Sequence, residues 1–118
     1  MANVFKKEET PVEKKPWGSV KRVVDEHIGA SKIGVLFVEV SPKTKPQGFH
    51  YHMKRESVYI GIKGKARVTI DKQEYVLEPN TVVLIPPGEK HRVENIGDIA
   101  FEYIEVYSPL EPDRIEVS

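Results

Sequence analysis

Gly48-Phe49-His50-Tyr51-His52-Met53-Lys54-Arg55-Glu56-Ser57-Val58-Tyr59-Ile60-Gly61-Ile62-Lys63-Gly64-Lys65-Ala66-Arg67-Val68-Thr69-Ile70-Asp71 has the grammar of a sheet rather than of a helix. In its second half Ala66, Val68 and Ile70 take one parity and Lys65, Arg67 and Thr69 the other. Successive side chains of a strand point to opposite faces, so this alternation predicts a half-buried strand over 65–71. Gly64 divides it from a strand over 57–63, and 49–53 reads as extended. Working outward, strands are expected over 20–25, 33–41, 74–77, 82–85, 91–95 and 99–108. Between them lie turn signals: Pro42 and Pro46, Asp71-Lys72-Gln73, Glu78-Pro79-Asn80 and Pro86-Pro87-Gly88. About eight short strands at intervals of roughly eight to twelve residues predict an all-β sandwich or barrel, with two sheets folded on each other in a jelly roll.

Composition agrees. The 118 residues include 16 Val and 10 Ile against 4 Leu and 4 Ala. β-Branched side chains lose rotamer freedom in a helix and fit a pleated surface. The length suits one domain, placed at 17–118. Residues 1–16, rich in Lys, Glu and Pro, read as an extended N-terminal arm. Lys plus Arg equals Asp plus Glu, 18 each, so no basic excess points to nucleic acid or to an anionic membrane. The longest apolar runs, 35–38 and 82–85, are far too short to span a bilayer. With no cysteine there are no disulfides and no thiolate ligands, and a cytoplasmic protein is expected.

Two of the four histidines stand two apart in an extended segment, so His50 and His52 share a face and converge while Tyr51 points away. Glu56 has the same parity, as do Val58, Ile60 and Ile62. Glu56 is therefore expected to face the interior, where an unpaired carboxylate is costly unless a cation compensates it. His91 follows the Pro86-Pro87-Gly88 corner, which fixes where its strand begins. Three imidazoles and one carboxylate around a shared point describe a site for one divalent transition metal: Mn, Fe, Co, Ni or Zn. Such a set leaves a net charge of about +1 and two open cis positions on a six-coordinate ion. Both favour a small anionic or chelating oxygen ligand. A solvated strand-edge charge is the plain alternative for Glu56. Core packing is the default for Tyr59, Phe101 and Tyr103, and Arg92 is expected to face away from His91.

The run from Gly48 through His50, His52 and Glu56 to Gly64 resembles the first cupin motif. Pro86, Gly88, His91 and Asn95 resemble the second, P-x-G-x-x-H-x-x-x-N, with Asn80 where the family usually has Gly. The resemblance implies a cupin double-stranded β-helix barrel whose metal ligands fall on His50, His52, Glu56 and His91, with Asn95 closing a turn. Seven residues separate Glu56 from Gly64 where six is usual, so counting back from Gly64 reaches Ser57. A one-residue bulge reconciles the two; otherwise the site is three-histidine.

Lys15-Pro16-Trp17-Gly18-Ser19, Gly64-Lys65-Ala66-Arg67-Val68, Pro87-Gly88-Glu89-Lys90-His91-Arg92-Val93-Glu94-Asn95 and Phe101-Glu102-Tyr103-Ile104-Glu105-Val106 are similar to the C-terminal cupin of bifunctional mannose-6-phosphate isomerases. That likeness implies isomerase-like sugar-phosphate chemistry, in which a metal polarises carbonyl and hydroxyl while a base moves a proton between carbons. An O₂-dependent oxygenase or decarboxylase, and a non-enzymatic ligand-binding or sensor cupin, stand as alternatives. Small cupins commonly pair, so a homodimer is expected.

Overall fold

The alternation read from 65–71 places Ala66, Val68 and Ile70 in the interior of the computed structural model, which describes residues 3–117. Met1, Ala2 and Ser118, parts of the arm and of the domain expected above, lie outside the described residues. The described residues form eleven strands in two antiparallel sheets, with 3-10 turns at Lys7–Glu9 and Glu26–Ile28. In chain order the strands are β1 (Glu13–Lys15), β2 (Gly18–Val24), β3 (Gly34–Val40), β4 (His50–His52), β5 (Glu56–Lys63) and β6 (Ala66–Ile70). Then come β7 (Gln73–Leu77), β8 (Val82–Ile85), β9 (His91–Asn95), β10 (Phe101–Ser108) and β11 (Arg114–Glu116). One sheet runs β1-β2-β3-β10-β5-β8 and the other β11-β4-β9-β6-β7. The chain crosses between sheets repeatedly, which is the folded-over jelly roll expected from the strand spacing.

Two strands carry no pattern that a sequence reading could use. β1 adds to the edge of the larger sheet by pairing Glu13 with Val20 and Lys15 with Gly18. β11 adds to the edge of the smaller sheet by pairing Arg114 with His52 and Glu116 with His50. The core between the sheets is made by Val20, Leu36, Val38, Val40, Tyr59, Ala66, Val68, Leu77, Ile85, Val93, Phe101, Tyr103 and Tyr107. Apolar area withdrawn from water, at about 25 cal/mol per Å², is what holds the sheets face to face.

Asn95 fastens one end of the barrel. Its side-chain amide donates to the carbonyls of Val40 and Ile99, both at 2.9 Å, and its carbonyl oxygen accepts the Gly97 N–H at 2.8 Å. Gly61, in the middle of β5, is required by close approach: a Cβ there would run into the backbone of Glu78. Among the described residues no helix is long and apolar enough to cross a membrane.

Candidate metal centre

β4 and β9 are neighbours in the smaller sheet, and their register sets His50 directly opposite His91. Directly opposed residues of an antiparallel pair have Cβ atoms roughly 5 Å apart, so the two imidazoles meet, with ring centroids at 4.2 Å. His52 shares the inward face of β4 with His50, their centroids 5.3 Å apart, and lies 5.8 Å from His91. One nitrogen from each ring falls within 4.8 Å of the others, and all three residues are buried.

The hydrogen bonds orient two of these rings. His52 Nδ1 donates to Asp113 Oδ1 at 2.9 Å, and His91 Nδ1 donates to the Glu89 carbonyl at 2.9 Å. Each bond fixes its ring as the tautomer with a lone pair on Nε2, the arrangement that partners of metal-bound histidines impose. His91 Nε2 and His50 Nδ1 are buried and accept nothing from any described residue. A buried polar atom without a partner costs about 1–3 kcal/mol, so unpartnered nitrogens on rings of this cluster fit a cation held there. Burial, reinforced by His91, Arg114 and His52, lowers the His50 pKa to about 2. Burial lowers His91 to about 4 and also holds His52 below its ordinary value. Neutral imidazoles are the ligand form.

Glu56 is not with them. It is exposed, and the inward residues of β5 are Ser57, Tyr59 and Gly61, not Glu56, Val58, Ile60 and Ile62. This corrects the expected interior position of Glu56. The cause is the link between β4 and β5. Asp113 Oδ2 accepts the amide N–H groups of Lys54 at 2.7 Å and Arg55 at 3.1 Å. Those bonds fold the link into a bend, and the alternation begins afresh with the opposite parity. Ser57 therefore takes the interior place that counting back from Gly64 reached.

Opposite the histidines, on the larger sheet, β10 turns Phe101, Tyr103, Glu105 and Tyr107 inward. Sequence reading passed over Glu105, although it was the one acid on that aromatic face. It is 7% exposed, and Ser57 Oγ donates to its Oε2 at 3.0 Å. Burial raises its pKa, against the Ser57 hydrogen bond and the nearby guanidinium of Arg55. Glu105, His50 and His52 line one cavity of about 410 Å³, together with Tyr59, Tyr103 and Asp113. Arg22, Arg55 and Arg114 line it too. Arg22 is paired with Glu13 and Arg114 with Glu116, whereas among the described residues Arg55 makes no close ion pair, its charge bearing on Glu105 from farther off. The Arg55 guanidinium lies over the Tyr107 ring, 3.9 Å from its centroid. Arg92 is not a lining residue; its guanidinium lies over Phe49.

Asp113 was also missed from sequence. Burial works to raise its carboxyl, but the Lys54 amide, the His52 imidazole and the Arg55 amide outweigh it and hold the pKa below the ordinary value. The side chain comes from the segment entering β11 and ties His52 and the β4–β5 link together.

A family model described as a cupin domain matches residues 36–107. Over 64 residues the chain is 38% identical to a glucose-6-phosphate isomerase of Pyrococcus furiosus, a match covering 50% of this chain and 34% of that one. Over 92 residues it is 32% identical to a mannose-1-phosphate guanylyltransferase of Sinorhizobium fredii, covering 78% of this chain and 17% of that protein. The chain thus spans about a third or less of the length of these curated relatives. Among solved structures, KdgF from Halomonas sp. superposes with a TM-score of 0.82 at 15% identity, covering 94% of this chain and 96% of that one. Lactobacillus farciminis oxalate decarboxylase in its formate complex gives 0.82 at 22% identity, covering 93% of this chain and 34% of that one. Identities this low speak to the fold.

Proposed function

Because the chain belongs to the cupin domain family, we propose that it holds one divalent transition metal on His50, His52 and His91 and acts there on a small anionic metabolite, a sugar phosphate being the first candidate. The observation that carries this reading is the convergence of three buried imidazoles, two of them with an unpartnered buried nitrogen. A bound metal supplies Lewis acidity toward a carbonyl or hydroxyl oxygen. Three imidazoles are borderline ligands that accept Mn, Fe, Co, Ni or Zn. With no carboxylate among the ligand atoms that converge, the ion keeps its full charge of about +2, which draws an anion more strongly than a four-ligand set. Arg55, without a close ion pair among the described residues, adds a second attraction at the same cavity. The sugar-phosphate candidate draws on the names of the matched relatives, the isomerases above all. A cytoplasmic location is part of the same proposal.

Elemental analysis of the untagged protein beside a His50→Ala, His91→Ala double variant tests it. The expected result is close to one transition-metal ion per chain in the parent and none in the variant. A parent that is metal-free and takes up neither added Mn²⁺ nor Zn²⁺ overturns the proposal. With metal in place, anaerobic interconversion of glucose 6-phosphate and its 2-ketose isomer is the assay to run first.

The homodimer belongs to this proposal as well. The outward face of β5 and β8 presents Ile62, Val82 and Leu84 to solvent, beside half-buried Val58 and Ile60. Contiguous apolar surface of this kind marks interfaces. Sedimentation velocity should give a dimer for the parent and a folded monomer for Leu84→Lys; a monomeric parent refutes the pairing.

A further inference from the structure

The cavity holds four carboxylates, and three of them are accounted for. Asp113 is engaged by His52 and by two backbone amides. Asp25 caps the Glu26–Ile28 turn by accepting the His27 N–H, and Glu26 is exposed. Glu105 is the remaining one. It is buried on the larger sheet, across the cavity from the sheet that carries the three histidines. Among the described residues Ser57 is its one hydrogen-bond donor, and that bond goes to Oε2; Oε1 accepts none from them, and the residue lines the cavity. The tyrosines beside it, Tyr59 and Tyr103, are pushed well above their ordinary pKa by burial and cannot serve as bases near neutrality. A buried acid is costly for folding, and among the described residues this one has a single serine hydroxyl as its hydrogen-bond partner and no ion pair.

Resting on the reading above, we propose that Glu105 is the acid–base residue of this cavity, moving a proton between adjacent carbons of an anionic 2-hydroxycarbonyl substrate, with Ser57 as its positioning residue. Oε1 takes the proton from the hydroxyl-bearing carbon, and the C–H electron pair becomes a carbon–carbon double bond. The carbonyl π pair moves to its oxygen, which takes a proton from solvent. In the second half the neighbouring hydroxyl gives its proton to solvent and becomes the new carbonyl. The double-bond pair then takes the proton back from Glu105 onto the former carbonyl carbon. Nothing is oxidised or reduced overall, the two solvent protons cancel, and Glu105 ends as it began. The carboxylate that serves the site thus comes from β10, while Ser57 occupies the inward place on β5 where the sequence count had allowed a metal-binding glutamate.

The test is deuterium incorporation at C1 and C2, followed by proton NMR in D₂O, with glucose 6-phosphate and its 2-ketose isomer as probes. Parent, Glu105→Gln and Ser57→Ala are compared, each with its metal content and melting temperature measured. Glutamine keeps the shape and can still accept from Ser57 but cannot carry the proton. The expected result is a loss of about 10²- to 10⁴-fold in kcat for Glu105→Gln, with KM and metal content near those of the parent. Ser57→Ala is expected to lose less and to move the acid limb of the pH–rate profile upward. The sign follows because the Ser57 bond lowers the Glu105 pKa, while Tyr59, Tyr103, Tyr107, Arg22, Arg55 and Arg114, which also face that carboxylate or bear on its charge, are unchanged. Glu105→Gln that exchanges at the parent rate overturns the assignment and leaves the sugar-phosphate reading standing. Loss of metal together with rate places Glu105 in the upkeep of the site and also overturns it. A metal-loaded parent that interconverts the two probes without deuterium uptake overturns the assignment alone, and one that neither interconverts nor exchanges them refutes both.

Discussion

Asp113→Ala is expected to weaken divalent-metal binding by about 10- to 100-fold, the usual effect of removing a carboxylate that orients a metal-binding imidazole. Three contacts disappear in that variant. The His52 ring loses the acceptor that fixes its tautomer, and the amides of Lys54 and Arg55 lose the oxygen that folds the β4–β5 link. Asp113→Asn separates the two contributions. A carboxamide oxygen still accepts backbone N–H groups but bears no charge against the imidazole, so its affinity should fall between those of parent and alanine variant. Competition titration against a chromophoric chelator reads all three. An affinity unchanged in Asp113→Ala would mean that His52 is held by the barrel alone.

Phe101→Ala should cost about 3–5 kcal/mol, a large share of the roughly 5–15 kcal/mol that keeps a domain of this size folded. Phe101 is 0% exposed, begins β10, and stacks on Tyr103 with ring centroids 5.5 Å apart. Its loss leaves a cavity between two sheets that cannot close over it without breaking the pairing of β10 with β3 and β5. Urea unfolding followed by tyrosine and tryptophan fluorescence should show the midpoint fall sharply. Ile62→Ala, which trims an exposed side chain of β5, should change stability by no more than about 0.5 kcal/mol in a monomer. Equal losses for the two would contradict the assignment of inner and outer faces.

The strands were legible because their signals are local. Alternation in 65–71 and the proline and glycine corners put β2 to β10 within a few residues of where they lie. β1 and β11 were not, since three residues such as Glu13–Lys15 or Arg114–Glu116 carry no periodicity and owe their extension to the edge they join. In the site, the pairing of His50 and His52 on one face followed from a spacing of two on one strand. The reading failed at Glu56 because parity does not carry across a bend, and here the bend is held by a side chain far away in sequence. The outer face of β5 reinforced the error: Val58, Ile60 and Ile62 are as apolar as any core set, so hydrophobicity did not separate inside from outside. Glu105 was hidden for a related reason, since β10 is apolar on both faces. Only its parity with Phe101, Tyr103 and Tyr107 distinguished it from Glu102. Asp113, in a stretch punctuated by proline, had no local signal at all.

The bond between His52 and Asp113 spans 61 residues of chain, which gives the centre a history as well as a shape. At about 5–20 residues per second on a ribosome, roughly 3 to 12 s pass between the appearance of the histidine pair and the appearance of the carboxylate that orients it. If the proposed centre is metal-binding, His50 and His52 would in that interval form a loose chelate, open to whichever divalent ion is most available or most avid. Afterwards the closed barrel imposes three fixed nitrogen positions, and an ion that does not suit them must leave or be exchanged. The metal found in a purified sample would then reflect the growth medium and the rate of synthesis as well as the geometry. Protein made slowly in defined medium and protein refolded around a chosen ion are two preparations worth comparing.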